Sequence, residues 1–281
     1  MKFYLISSES NSQINDTFVN ACKKNNEVDL IYVDIRTYPE KNFKKPTTKD
    51  ALYRANTTPY ARQIEIELLN EKVATFYTDY RKALHGGMNA AADEKIYIEN
   101  GVPTPKTIFI ITKDKKNIES QIQDLNGPPY IVKVSGKSHG VGVMKVDSIE
   151  SLFSVLDYLR NDEAKVMIRE YIPVTSSARL VVLGDKVIDS IEYQAPKDDF
   201  RSNVGNPKVI TKKFPKDIKD TAIKAVQLLN LEFGGVDILI HNNKHYLTEV
   251  NYPCFFPRAQ QITGTDIAAQ MIEYLYNKQN K

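Results

Sequence analysis

Residues 234–251, GGVDILIHNNKHYLTEVN, constrain the chain more than any other stretch of it. Two runs of alternating apolar and polar residues flank Asn242-Asn243, the pattern of an antiparallel hairpin. Register decides which side chains meet, because a slip of one residue turns every side chain to the opposite face. A two-residue turn at Asn242-Asn243 sets Asp237 against Thr248. A three-residue loop, Asn242 to Lys244, pairs His241 with His245 and sets Asp237 against Glu249. The second register gathers Val236, Ile238, Ile240, Tyr246 and Val250, with Thr248, on one face. It leaves Asp237, Glu249 and Asn251 on the other, and hydrophobicity selects it. Two facing carboxylates repel each other, whereas two carboxylates and an amide oxygen are the hard donors that Mg²⁺ takes together with water and phosphate. A solvated polar face is the plainer alternative.

A second stretch, VKVSGKSHGVGVMKV at residues 132–146, invites a phosphate. It is not a Walker loop: Ile131 stands where the first glycine belongs, and a strand follows in place of a helix. Nor is it a dinucleotide fingerprint, since its glycines are Gly136, Gly140 and Gly142. What remains is a Ser/Gly/His loop between two strands, either a flap whose backbone N–H groups cover phosphates or a hairpin tip with no ligand. Lys133 lies inside the run YIVKV, and a lysine within such a strand requires a charged partner or an edge from which to snorkel.

The rest of the chain bounds the class. A formal charge of +3 over 281 residues, with its lysine-rich pieces in polar stretches, leaves no basic surface for nucleic acid. Cys22 and Cys254 are the only cysteines and lack metal-ligand spacing, which points to a reducing compartment. The opening MKFYLIS is too short for a signal peptide and no run of about 18 apolar residues occurs, so a cytoplasmic protein without membrane contact is expected. KFYLIS, a helix near residues 11–25 and VDLIYVDI form a βαβ unit, followed by turn chemistry at residues 36–50. A capped helix at TTPYARQIEIELL and a short strand at KVATFY come next. Residues 79–100 are helical in pattern, broken at Gly86-Gly87. PYIVKV and VGVMKV flank the glycine loop, SIESLFSVLDYLR is an amphipathic helix, and KVMIREYI is a strand. A hairpin turns about Gly184-Asp185, a helix covers residues 216–229, and a last helix is capped at Thr265-Asp266. The expected class is α/β and α+β, in three units: residues 1–84, 85–173 and 174–281.

From about Gly101 to Leu275 these pieces, in order and spacing, resemble an ATP-grasp protein of the RimK type. The matching segments are GVPTPKT, PYIVKVSGKSHGVGV, IREYI, RLVVLGDKVIDSIEYQA, DFRSN, GGVDILI, LTEVN and TGTDIAAQMIEYL. The resemblance implies an N-terminal α/β domain and two subdomains clasping ATP. It implies Lys133, Ser135, Ser138, His139, Gly140 and Gly142 at the phosphates, with residues 135–143 as the flap. Glu170, Tyr171 and Ile172 would read the purine through their backbone. Asp237, Glu249 and Asn251 would hold Mg²⁺, or Mn²⁺ in its place. Arg201 and Asn203 would face the γ-phosphate and acyl phosphate, and Arg179 the substrate. The implied activity is an ATP-dependent carboxylate–amine ligation through an acyl phosphate, adding an amino acid to a peptide, protein or metabolite. Phosphotransfer without amide formation, or a non-catalytic nucleotide-binding scaffold, are the alternatives. Homo-oligomers are common among such proteins.

Three departures stand out. Ala90 occupies the place of a phosphate-binding lysine, and neither Lys82 nor Lys95 has the spacing to replace it. Ser177 aligns with an acidic nucleotide contact. The small Ser-Pro-Gly segment after the metal asparagine is replaced by Tyr252, Pro253, Cys254, Phe255 and Phe256, which implies either aromatic walls for a substrate pocket or plain core packing. Cys254 reads as a small buried hydrophobe, His241 and His245 as surface residues.

Overall fold

A computed structural model of the chain describes residues 1–70, 72–86, 90–110, 112, 114–134, 140–160, 166–194, 199–201 and 207–280. The apolar opening forms β1 (Lys2–Ser7), buried at every residue after Lys2. α1 (Ser12–Lys23) crosses to β2 (Asp29–Asp34), and β3 (Ala51–Arg54) joins the other edge, giving a parallel sheet ordered β2-β1-β3. α2 (Pro59–Leu68) begins where the Thr58 side chain accepts from Ala61 N, with proline in the first turn. The strand expected in KVATFY does not form; Ala74 and Tyr77 make single bridges to Ala51 and Leu231. The sheet's third strand, β3, enters the core although it carries a charge, because Glu65 of α2 matches Arg54 at 2.6 Å.

α3 (Tyr80–Gly86) and α4 (Ala90–Glu99) lead to β4 (Thr107–Ile110), α5 (Lys115–Ile122), β5 (Tyr130–Val134), β6 (Val143–Val146), α6 (Ile149–Arg160) and β7 (Val166–Glu170). These strands form an antiparallel sheet ordered β4-β7-β5-β6. Alternation divides its faces. Tyr130, Val132, Val146 and Ile168 pack on Ile118, Ile122, Leu152 and Leu156 of α5 and α6. The intervening Ile131, Lys133, Val143 and Arg169 line a cleft.

β8 (Ser176–Leu183), β9 (Lys186–Gln194), β10 (Val209–Thr211), α7 (Lys216–Leu228), β11 (Phe233–His241), β12 (Lys244–Asn251), α8 (Pro257–Thr263) and α9 (Ile267–Gln279) complete the chain. Their sheet runs β10-β9-β8-β11-β12. One face, with Leu180, Val182, Val236, Ile238 and Leu247, closes on α7. The other face divides along its length. Val181, Leu183, Ile191 and Phe233 pack against α9 and the N-terminal sheet, while Asp237 and Glu249 border the cleft. The cleft thus lies between two sheets, each of which has its opposite face sealed by helices. Among the described residues no helix is long and apolar enough to cross a membrane.

Candidate active site

The hairpin β11–β12 reaches the expected pairing by a different route. His241 pairs with Lys244, so the turn has two residues, and Asn242 and Asn243 adopt φ of 46° and 62°. Such left-handed pairs suit the two-residue hairpin turn, and Asn tolerates them. Asp237 still lies opposite Glu249 because the register shifts between Asp237 and Ile238, leaving Thr248 as an extra residue. The Thr248 hydroxyl donates to the Asp237 carbonyl at 3.0 Å, fastening the bulge. A consequence is that Leu247, and not Tyr246, joins Val236 and Ile238 in the core. The bulge lets one strand serve the core before it and the cleft after it.

At the cleft end of this hairpin, Asn251 Nδ2 lies 3.2 Å from Asp237 Oδ2 and 3.5 Å from Glu249 Oε1. Two carboxylates therefore converge on the amide of Asn251. A rotation of that amide substitutes its oxygen for its nitrogen, giving three hard oxygen donors about one point, a set that fits Mg²⁺. Arg179, from the neighbouring strand position on β8, donates Nε to Asp237 Oδ1 at 2.5 Å and Nη2 to Oδ2 at 2.8 Å. The arginine expected to face substrate is turned onto Asp237, with its Nη1 beside Gly235. Burial pushes the Asp237 carboxyl up against the pull of Arg179, with the charge of Glu249 adding to the rise. Burial raises Glu249 too, but the charge and hydrogen bond of Lys133 prevail and hold it below the ordinary carboxylate range.

Lys133 crosses from the other sheet, its Nζ 3.2 Å from Glu249 Oε2. The charged partner that its strand position demanded is therefore a carboxylate of the opposite sheet. The cleft around this bridge takes in about 1060 Å³ when the open solvent at its mouth is counted. Gly140 and Gly142 carry φ of 74° and 76° at the near end of the glycine loop, and the Gly140 carbonyl accepts from Arg201 Nη1 at 3.1 Å. Arg201 is also forked onto Asp199, with Nε–Oδ1 at 3.0 Å and Nη2–Oδ2 at 2.7 Å. Ser135, Ser138, His139 and Asn203 lie outside the described residues.

Tyr171 and Ile172 line the far end of the cleft, and Lys145 stands 4.9 Å above the Tyr171 ring. The Glu170 carboxylate is committed elsewhere: it accepts from Lys106 N at 2.8 Å and from Asn126 Nδ2 at 2.5 Å. These bonds pin the segment while its backbone adjoins the cleft. Ser177 is buried in the cleft wall. Phe256 and Cys254 are core residues at 1% exposure, and burial pushes the Cys254 thiol up to about 11, whereas Phe255 stands 54% exposed. His241 bonds Asn242 and His245 bonds the Thr221 hydroxyl, so both serve the hairpin's outer end. The sequence reading passed over Arg169, a cleft residue. Its signal was the one used for Lys133, a charge inside an apolar strand.

Two sheets closing on a cleft, with a cation bridge at one end and a two-carboxylate pair on a hairpin, have the architecture of the ATP-grasp fold. The RimK-like ATP-grasp domain model matches residues 89–275, and the chain belongs to that family. A probable alpha-L-glutamate ligase of Shewanella loihica is 28% identical over 211 residues, 74% of this chain and 69% of that protein. One of Pseudomonas entomophila is 34% identical over 179 residues, 62% of this chain and 58% of its own length. In structure, the ATP-grasp ligase PsnB complexed with minimal precursor superposes with a TM-score of 0.75 at 14% identity, covering 98% of this chain and 99% of that one. D-alanine–D-alanine ligase from Bacillus anthracis gives 0.68 at 15% identity, over 100% of this chain and 97% of that one. These two likenesses show the fold. The chain is an ATP-dependent, ADP-forming carboxylate–amine ligase that works with ATP and Mg²⁺.

Proposed function

We propose that the chain joins an amino acid, glutamate in the first instance, to a peptide. Lys133 and the loop after it hold the ATP phosphates, Tyr171 and Ile172 flank the purine, and Asp237, Glu249 and Asn251 hold Mg²⁺ or Mn²⁺, which share a preference for oxygen donors. The observation that carries the reading is the Lys133–Glu249 bridge between the sheets, beside the Asp237–Asn251 contact. The substrate carboxylate attacks the γ-phosphorus of ATP, releasing ADP and leaving an acyl phosphate. The amine then attacks the acyl carbon, phosphate departs and the ammonium loses its proton. Bound Mg²⁺ supplies charge neutralisation at the transferring phosphoryl group. The protein's share is positioning and fixed charge: Arg201, oriented by Asp199, with Asn203, meets that group, and Arg179 acts through Asp237, which it holds in place for the metal.

Support for a peptide partner comes from the relatives. Curated ones carry the name glutamate ligase, and the structural neighbours include a ligase complexed with a precursor peptide and AMPPNP. The exposed Phe255, just beyond Asn251, offers a peptide an apolar contact. The division into units at 84/85 and 173/174 forms part of the same proposal. The test is an ADP-release screen with glutamate and other amino acids against short peptides, products read by mass. Glutamate-dependent ADP release with a peptide gaining one residue is expected. Glutamate-dependent ADP release with no peptide gaining a residue would overturn the peptide acceptor.

A further inference from the structure

Register places Arg169 beside the site already described. Ile131 pairs with Arg169 and Lys133 with Met167 across β5 and β7, so Arg169 is the diagonal neighbour of Lys133 on the cleft face. It lies two pairs nearer to Tyr171 and Ile172 than Lys133 does. Arg169 is only 6% exposed, yet it lines the cleft. Its Nη2 donates to the carboxylate of Glu94 on α4, which is itself 2% exposed and also accepts from the Thr107 hydroxyl at 2.8 Å. Among the described residues the Arg169 Nε–H has no partner, nor do Asp93 Oδ1 and Tyr97 OH of α4. A buried guanidinium donor without an acceptor is costly unless a ligand completes it. The fork geometry of arginine suits a phosphate, and the pairing with Glu94 fixes its plane.

We propose that Arg169 is a nucleotide ligand, donating to the α-phosphate. This rests on the nucleotide reading of the cleft. With the purine against Tyr171 and Ile172 and the metal at Glu249, the phosphate nearest the purine falls between those ends, at the level of Arg169. The other described cations of the cleft have carboxylate partners at its metal end and rim, Lys133 on Glu249 and Arg201 on Asp199. The proposal also accounts for Ala90. Position 90 is one helical turn before Glu94 on α4, so an arginine bound to Glu94 brings a cation to the same neighbourhood from the facing strand.

The test is calorimetric titration of adenosine, AMP and ADP into the full chain without metal, for wild type, Arg169→Gln and Arg169→Lys. Arg169→Gln is expected to weaken AMP and ADP at least about tenfold while adenosine stays within about twofold, and Arg169→Lys to keep part of the AMP affinity. AMP affinity unchanged in Arg169→Gln would overturn the proposal. So would an equal loss for adenosine, which signals a purine contact or a structural role. Because Arg169→Gln strands the Glu94 charge, Arg169→Gln/Glu94→Gln serves if the single variant does not fold, with the same expectation. Wild type that binds none of the three would overturn the nucleotide reading itself, a result distinct from failure of the arginine variants alone.

Discussion

Replacing Lys133 with methionine separates two effects of opposite sign. The Lys133 ammonium is 3.2 Å from Glu249 Oε2, and attraction at that distance is about 1.3 kcal/mol in water and about 5 kcal/mol at an effective dielectric near 20. The Glu249 side chain is 45% exposed, so solvent screening dominates and about 1–2 kcal/mol is the working figure. Lys133 competes with Mg²⁺ for that carboxylate. Lys133→Met is therefore expected to strengthen Mg²⁺ binding to the nucleotide-free protein by about five- to thirtyfold. The same variant loses a charge-assisted bond to phosphate worth about 1.5–3 kcal/mol, which weakens ADP binding by roughly tenfold to a hundredfold. Calorimetry of Mg²⁺ alone, then of ADP at saturating Mg²⁺, measures both. High salt should compress the first effect. Mg²⁺ affinity that falls or stays constant refutes the competition, and ADP affinity within about twofold of wild type refutes the phosphate contact.

Other substitutions sort the site's stability from its chemistry. Asp237→Ala leaves the mostly buried Arg179 unpaired and should cost about 3–5 kcal/mol by denaturant unfolding, whereas Glu249→Gln should abolish ADP release with little loss of stability. Turnover in Glu249→Gln would remove it from the metal set. A Cβ on Gly235 would stand 2.3 Å from Cys254 Sγ and 3.2 Å from Arg179 Nη1, so Gly235→Ala should destabilise by about 1–3 kcal/mol through overpacking. Cys254→Ala in the same chain should recover part of that in a double-mutant cycle, and strict additivity would show the clash is relieved elsewhere. Burial pushes the Asp93 carboxyl from an ordinary 3.8 up to about 6. Its folded pKa is raised, so stability is greatest below the lower value and is lost as pH rises through the upper, by at most about 3 kcal/mol. Asp93→Asn should raise the melting temperature above pH 6 and not below pH 4, and an equal gain at both would contradict the assignment to ionisation.

What the sequence determined was set by local rules. Alternation in YIVKV fixed which side of the strand Lys133 takes, since neighbouring side chains must point to opposite faces. Apolar periodicity and caps such as Thr58 and Asp266 fixed the long helices, because those side chains satisfy backbone donors within one turn. The convergence of Asp237, Glu249 and Asn251 was legible for the same reason, although the turn and bulge that produce it were not: a turn one residue shorter followed by a one-residue bulge ends in the same Asp237–Glu249 pairing as a three-residue loop. Only the tertiary structure decided the partners of the charges. Lys133 meets Glu249 across 116 positions of sequence, Arg169 meets Glu94 across 75 and Arg179 meets Asp237 across 58. Buried charges are tolerable only in matched pairs, and the matching is done by sheets that the chain brings together from distant segments. Strand β3 follows the same logic, for its Arg54 could enter a core only once Glu65 was there to receive it.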